Sequence, residues 1–111
     1  MDWRTVLALA AASLFGAGLA LAGPITSKPD PFHGKALAKQ LCSNCHLVDN
    51  QQQQALADVP SFHEIANKVG QTEGTIMAHI VLPKHPMPTI PLTTSELADL
   101  AAYIMSLRSS E

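Results

Sequence analysis

Two cysteines and a histidine stand close together, in the order Cys42-Ser43-Asn44-Cys45-His46, and the chain has no other cysteine. Two thiols three positions apart near a helix end can add to the two vinyl groups on one edge of a haem, and the next side chain then reaches the iron. The covalent link retains haem in a domain too small to hold it by burial alone. The spacing therefore predicts one covalently attached haem c, with the histidine as an axial iron ligand.

Three other uses of the C-x-x-C spacing are weaker. A disulfide between Cys42 and Cys45 would close a very short loop and would stabilise little. A thioredoxin-type redox pair follows a strand, whereas the pattern before Cys42 is helical. A zinc site would need further ligands at finger spacing, and no third cysteine exists.

The iron has a second axial position, for which the chain offers three methionines and four further histidines: Met77, Met87, Met105, His33, His63, His79 and His85. Met87 lies between Pro86 and Pro88, in a segment without helical period, and a rigid loop can aim a thioether at a metal at low entropic cost. Met77 and Met105 fall within helical patterns and are expected to pack in the core. We therefore expect Met87 to be the second ligand. His85 is its main rival, and a Met87 that covers the haem without bonding to it is also compatible with the sequence.

Ligation by one imidazole and one thioether favours ferrous iron and raises the reduction potential. A six-coordinate iron has no free site for substrate, which favours a one-electron carrier between redox proteins over an enzyme. Two alternatives stay open. One is an enzyme or sensor domain with a labile sixth ligand that binds a gas or peroxide, and in a peroxidase His85 or His63 would be the distal acid–base residue. The other is a non-catalytic haem subunit docked on a dehydrogenase.

The amino-terminal segment has the character of an export signal. The chain of 111 residues has no charge from Thr5 to Ala22, and Ala20-Leu21-Ala22 is a small-x-small cleavage pattern. We expect a signal peptide over residues 1–22, a tether over 23–30 and one domain over 31–109, in the periplasm. The alternative is an uncleaved anchor in the inner membrane.

The net charge argues against two classes of partner. Loss of Arg4 and Asp2 with the leader leaves six of the seven basic and eight of the nine acidic side chains, a net charge of −2. This balance provides no basic surface for nucleic acid and no polybasic surface for anionic lipid.

Four short helices are predicted from capping residues and apolar periods. Asp30 before Pro31 marks the first helix start, and the pattern continues through Leu37 and Leu41 to the cysteines. The other starts are two capping boxes, Ser61 to Glu64 and Thr93 to Glu96, and Thr72 before a helix over Glu73–Leu82, which Pro83 ends. The predicted apolar faces are Phe62, Ile65, Ala66 and Val69; Ile76, Met77, Ile80 and Val81; and Leu97, Leu100, Ala101, Ile104 and Leu107, with Leu92 as a hydrophobic staple. The run Gln51-Gln52-Gln53-Gln54 is interpreted as a solvated loop.

Taken together, these features resemble the class I c-type cytochromes, particularly the small periplasmic ones of bacteria. The matching segments are 34–46, Val59-Pro60-Ser61-Phe62, Pro86-Met87-Pro88 and 92–107. The resemblance implies an all-α cytochrome c fold, with about four short helices packed around one covalently bound haem and His46 and Met87 as its axial ligands. It also implies that the Pro60 carbonyl accepts the imidazole N–H of His46, and that the terminal helices cross at Gly34 and Tyr103. The net charge departs from the lysine-ringed respiratory members of the family.

Overall fold

The computed structural model describes residues 27–110 and Gly18, so the predicted signal peptide apart from Gly18, and the first half of the tether, residues 23–26, lie outside the described residues. Four α-helices follow one another: α1 (Pro31–Leu41), α2 (Phe62–Ala66), α3 (Glu73–Val81) and α4 (Thr94–Ser106). No strand occurs in the described part of the chain. The predicted all-α class and the number of helices are confirmed.

Each helix begins at the predicted capping residue, because a side-chain oxygen there accepts a backbone N–H that the helix leaves unpaired. The caps are Asp30, Ser61, Thr72 and Thr93. In both capping boxes the glutamate returns the bond, with Glu64 accepting from Ser61 N at 2.6 Å and Glu96 accepting from Thr93 N at 2.8 Å. These backbone hydrogen bonds lower the pKa of both glutamates.

The core lies around α4, which packs against each of the other three helices. Leu100 and Ala101 on α4 are almost fully buried, and Phe62 of α2 packs its ring 6.4 Å from that of Tyr103. The Tyr103 hydroxyl donates to the carbonyl oxygen of Val48. Helix α4 thus fixes both the start of α2 and the loop that follows α1.

The crossing of α1 and α4 is close because Gly34 has no side chain. A Cβ atom at Gly34 would lie 2.8 Å from Tyr103 Cβ and would overlap the Asp99 carbonyl. The Asp99 side chain adds polar contacts to the same crossing. Its Oδ1 accepts from Asp30 N at 2.7 Å, and its Oδ2 lies 2.7 Å from His33 Nδ1.

Three residues assigned to apolar helix faces are exposed instead. Val69 is fully exposed because α2 ends at Ala66, where Asn67 caps the helix. Val81 is 55% exposed in the last turn of α3, and Leu41 is 37% exposed at the end of α1. The buried stripe of α1 continues through Cys42 rather than Leu41. Within the described residues no helix is both long and apolar enough to cross a membrane.

Candidate functional site

The two cysteines and the histidine lie on one tight turn that continues directly from α1. Cys42 N still donates to Ala38 O, as in the helix, and then Cys45 N and His46 N both donate to Cys42 O, at 3.2 and 2.9 Å. Bonds of this kind hold the three side chains on a single turn of backbone. The end of α1 therefore sets the relative placement of the two thiols and the imidazole.

Both cysteines are free thiols, and Cys42 is buried whereas Cys45 is half-buried. Burial, with a smaller contribution from Cys45, raises the pKa of the Cys42 thiol to about 11. This environment differs from the electropositive one that activates redox-active thiolates.

Two contacts hold the His46 ring, a hydrogen bond from one of its nitrogens and a contact with an aromatic ring. Its Nδ1 donates to the carbonyl oxygen of Pro60 at 2.6 Å, and the ring lies 5.4 Å from that of Phe62. Because a carbonyl can only accept, the proton resides on Nδ1, and the lone pair on Nε2 is available to a metal. The Pro60 segment is itself held in place because Phe62 N donates to Leu47 O at 2.9 Å.

Met87, the second predicted ligand, is half-buried and packs against the hydrophobic core. Its backbone N–H donates to Lys84 O at 3.0 Å, which closes a turn at this point of the loop. The rival His85 is exposed. Met77 and Met105 are half-buried and pack against the core, as predicted for them.

The three remaining histidines each lie close to a hydrogen-bonding partner. His33 pairs with Asp99, as described above, and His79 Nδ1 lies 2.8 Å from Thr75 O within α3. His63 Nε2 lies 3.3 Å from the Ser109 hydroxyl. Each of these rings thus has a hydrogen-bonding role in the fold.

One residue of the glutamine run was wrongly interpreted as part of a solvated loop. Gln51, Gln53 and Gln54 are exposed, but Gln52 is half-buried and its side-chain amide hydrogen-bonds to the backbone of the Cys-to-His turn. A run of four identical polar residues gives no periodicity that would single out its second member. Only the neighbouring Asp49, which can accept backbone N–H groups two and three residues later, hints at a tight turn here.

Comparison with known proteins shows which family the chain belongs to. The sequence profile described as cytochrome c matches residues 33–108, which is more than half of the chain. The chain belongs to the cytochrome c family. It is also 43% identical over 79 residues to cytochrome c-552 of Bradyrhizobium diazoefficiens, covering 71% of this chain and 76% of that protein. No solved structure gave a significant match.

Membership of the cytochrome c family makes covalently bound haem c the cofactor and makes the protein an electron carrier. The residues present fit this group. Two reduced thiols lie on one turn, and the adjacent imidazole has its Nδ1 engaged and its Nε2 available. When bound, the haem supplies a one-electron ferric–ferrous couple.

Proposed function

We propose that this member of the cytochrome c family is an exported carrier of single electrons. In this proposal haem is attached through Cys42 and Cys45, and His46 and Met87 are its axial ligands. The observation that carries the proposal is the 2.6 Å hydrogen bond from His46 Nδ1 to the Pro60 carbonyl. Such a bond fixes the tautomer and orientation of a ligating histidine and makes the ligand more basic.

In this proposal Met87, as the second axial ligand, sets the redox character of the haem. It is half-buried against the core, whereas His85, two residues earlier, is exposed to solvent. A thioether in the second axial position raises the reduction potential and leaves the iron without an open site. This arrangement suits electron transfer without bond making. Of the two histidines considered for a peroxidase, His63 hydrogen-bonds near the C-terminal end of the chain and His85 is exposed.

The proposed partners are redox proteins of the periplasm. The relative with 43% identity is a bacterial cytochrome c-552, and the first 22 residues have the pattern of an export signal. Should that segment remain uncleaved, it would anchor the domain to the inner membrane with the haem on the periplasmic side. The net charge of −2 favours partner surfaces that are neutral or basic rather than acidic.

The attachment and the export are tested together by the intact mass of the protein from the periplasm. We expect the mass of the chain from Gly23 onward plus one haem. A mass without haem would refute the attachment through Cys42 and Cys45. A mass that includes residues 1–22 would show that the segment is not cleaved, and would support its role as a membrane anchor.

The axial ligand is tested by comparing Met87→Ala with Met105→Ala, which removes another half-buried methionine on the same core. We expect Met87→Ala to keep its haem, to lose the thioether-to-iron absorption band of the ferric protein, to bind CO rapidly when reduced, and to have a lower reduction potential. Met105→Ala should keep the band and the resistance to CO. An unchanged potential and band in Met87→Ala would show that Met87 is not a ligand.

A further inference from the structure

The side chain of Gln52 uses both ends of its amide to hold the turn that carries the two cysteines and His46. Its Nε2 donates to the carbonyl oxygens of Ser43 and His46, each at 2.8 Å, and of Gln54 at 2.7 Å, so that three acceptors share its two hydrogens. Its Oε1 accepts from Val48 N at 3.1 Å. Gln52 thus contacts the backbone on both sides of Cys45 and on both sides of Leu47.

These contacts pair backbone carbonyls of the turn that follows α1. In that turn the N–H groups of Cys45 and His46 both donate to Cys42 O. Carbonyl groups that a helix or turn does not pair internally must be paired by a cap, by water or by another side chain. For the carbonyls of Ser43 and His46 that side chain is the Gln52 amide.

The backbone of Gln52 is held by Asp49, which in turn pairs with α1. Asp49 Oδ1 accepts the backbone N–H groups of Gln51 and Gln52, each at 3.0 Å, which folds the loop back toward the helix. The Asp49 side chain is only 6% exposed, and its Oδ2 lies 3.3 Å from Lys39 Nζ on α1. Asp49 therefore links the backbone that carries the Gln52 amide to the helix that presents the cysteines.

We infer that Gln52 is a positioning residue for His46. The inference rests on the proposed function, in which His46 is the axial ligand. The Pro60 carbonyl restrains the imidazole at Nδ1, and the Gln52 amide restrains the main-chain carbonyl of the same residue. Loss of a group that hydrogen-bonds directly to a ligating ring, as the Pro60 carbonyl does, typically costs about 10- to 100-fold in metal affinity or activity. Gln52 sets the orientation of the ring through the backbone.

The test compares Gln52→Met with Gln51→Met in the haem-loaded protein. Methionine has nearly the shape of glutamine but no amide, neither change alters the net charge, and the exposed Gln51 side chain makes no hydrogen bond within the described residues. For Gln52→Met we expect about tenfold faster hydrogen exchange of the His46 Nδ1–H, measured by NMR, and a shifted reduction potential. Gln51→Met should match the wild type in both. A Gln52→Met protein that is less stable but unchanged in both readouts would show that Gln52 only holds the loop, and would overturn the inference.

A second measurement needs no variant and so does not depend on whether Gln52→Met folds and takes up haem. In the wild-type protein the side-chain amide protons of Gln52 should exchange with solvent at least about tenfold more slowly than those of Gln51 and Gln53, as expected for a paired amide. Equal rates at the three positions would refute the inference. The proposed function would fail differently, through a wild-type protein without haem or without the NMR shifts of an iron-bound His46 ring.

Discussion

Replacement of Gly34 by alanine tests whether the close crossing of α1 and α4 holds the domain together. The added methyl carbon would lie 2.6 Å from the Asp99 carbonyl carbon and 2.8 Å from Tyr103 Cβ, and it would overlap the Asp99 oxygen. Two of these three atoms belong to the backbone of α4. The clash cannot be relieved by rotating a side chain, so the two helices must move apart.

The expected loss follows from two opposing effects. Overpacking of a well-packed contact costs typically about 1–3 kcal/mol, and we take the upper end because the neighbours are backbone atoms. Alanine in place of glycine in a helix interior returns about 1 kcal/mol through its better helix propensity. The net expectation is a free energy of unfolding lower by about 2 kcal/mol. For a domain of this size that lowers the melting temperature by roughly 8–16 °C.

The assay is guanidinium and thermal unfolding of the haem-loaded protein, followed by far-UV circular dichroism. Gly74→Ala is the matched control, because a Cβ atom at Gly74 in α3 would meet nothing closer than Thr72 Oγ1, at 3.8 Å. We expect this control to be as stable as the wild type or slightly more stable, since the helix propensity improves without a clash. A Gly34→Ala protein as stable as the Gly74→Ala protein would refute the role assigned to the crossing.

Two further predictions concern polar contacts of α4. The hydrogen bond to Asp99 raises the pKa of His33 above 6.5, and the bonds from Asp30 N and His33 lower the pKa of Asp99 below 3.8. The contribution of this pair to the free energy of unfolding should therefore be fully present between about pH 4 and pH 6.5. It should decline as the pH rises through the raised pKa of His33, and also as the pH falls through the lowered pKa of Asp99. His33→Gln should lose the decline on the alkaline side, and an identical pH profile of unfolding in both proteins would contradict the pairing. Tyr103→Phe removes the donor to the Val48 carbonyl and should lower the free energy of unfolding by about 1–3 kcal/mol, because a buried acceptor is left unpaired. A chemically induced unfolding curve that coincides with that of the wild type would show that water replaces the hydroxyl.

Local signals in the sequence were enough for the helix starts. Ser61 and Thr93 cap their helices by pairing with backbone groups three residues away, and a contact of that range can be recognised in a short window. The ends of the helices were predicted less accurately. The apolar pattern places Val69 on the face of α2, but the helix ends at Ala66, where the Asn67 side chain donates to His63 O and to Leu107 O, 40 residues away.

The cofactor chemistry was determined by the sequence alone, because two thiols and an imidazole at fixed spacing on one turn are a local arrangement. What holds that turn was decided by the tertiary structure. The hydrogen bond from His46 to Pro60 joins residues 14 positions apart, and was expected only from the family resemblance. The role of Gln52 had no signal beyond the turn suggested by Asp49, since its side chain differs from those of its neighbours only in where the folded loop places it. The sequence determines which chemical groups are available. Which of four identical glutamine side chains contacts the Cys-to-His turn depends on how the backbone of the folded loop is oriented.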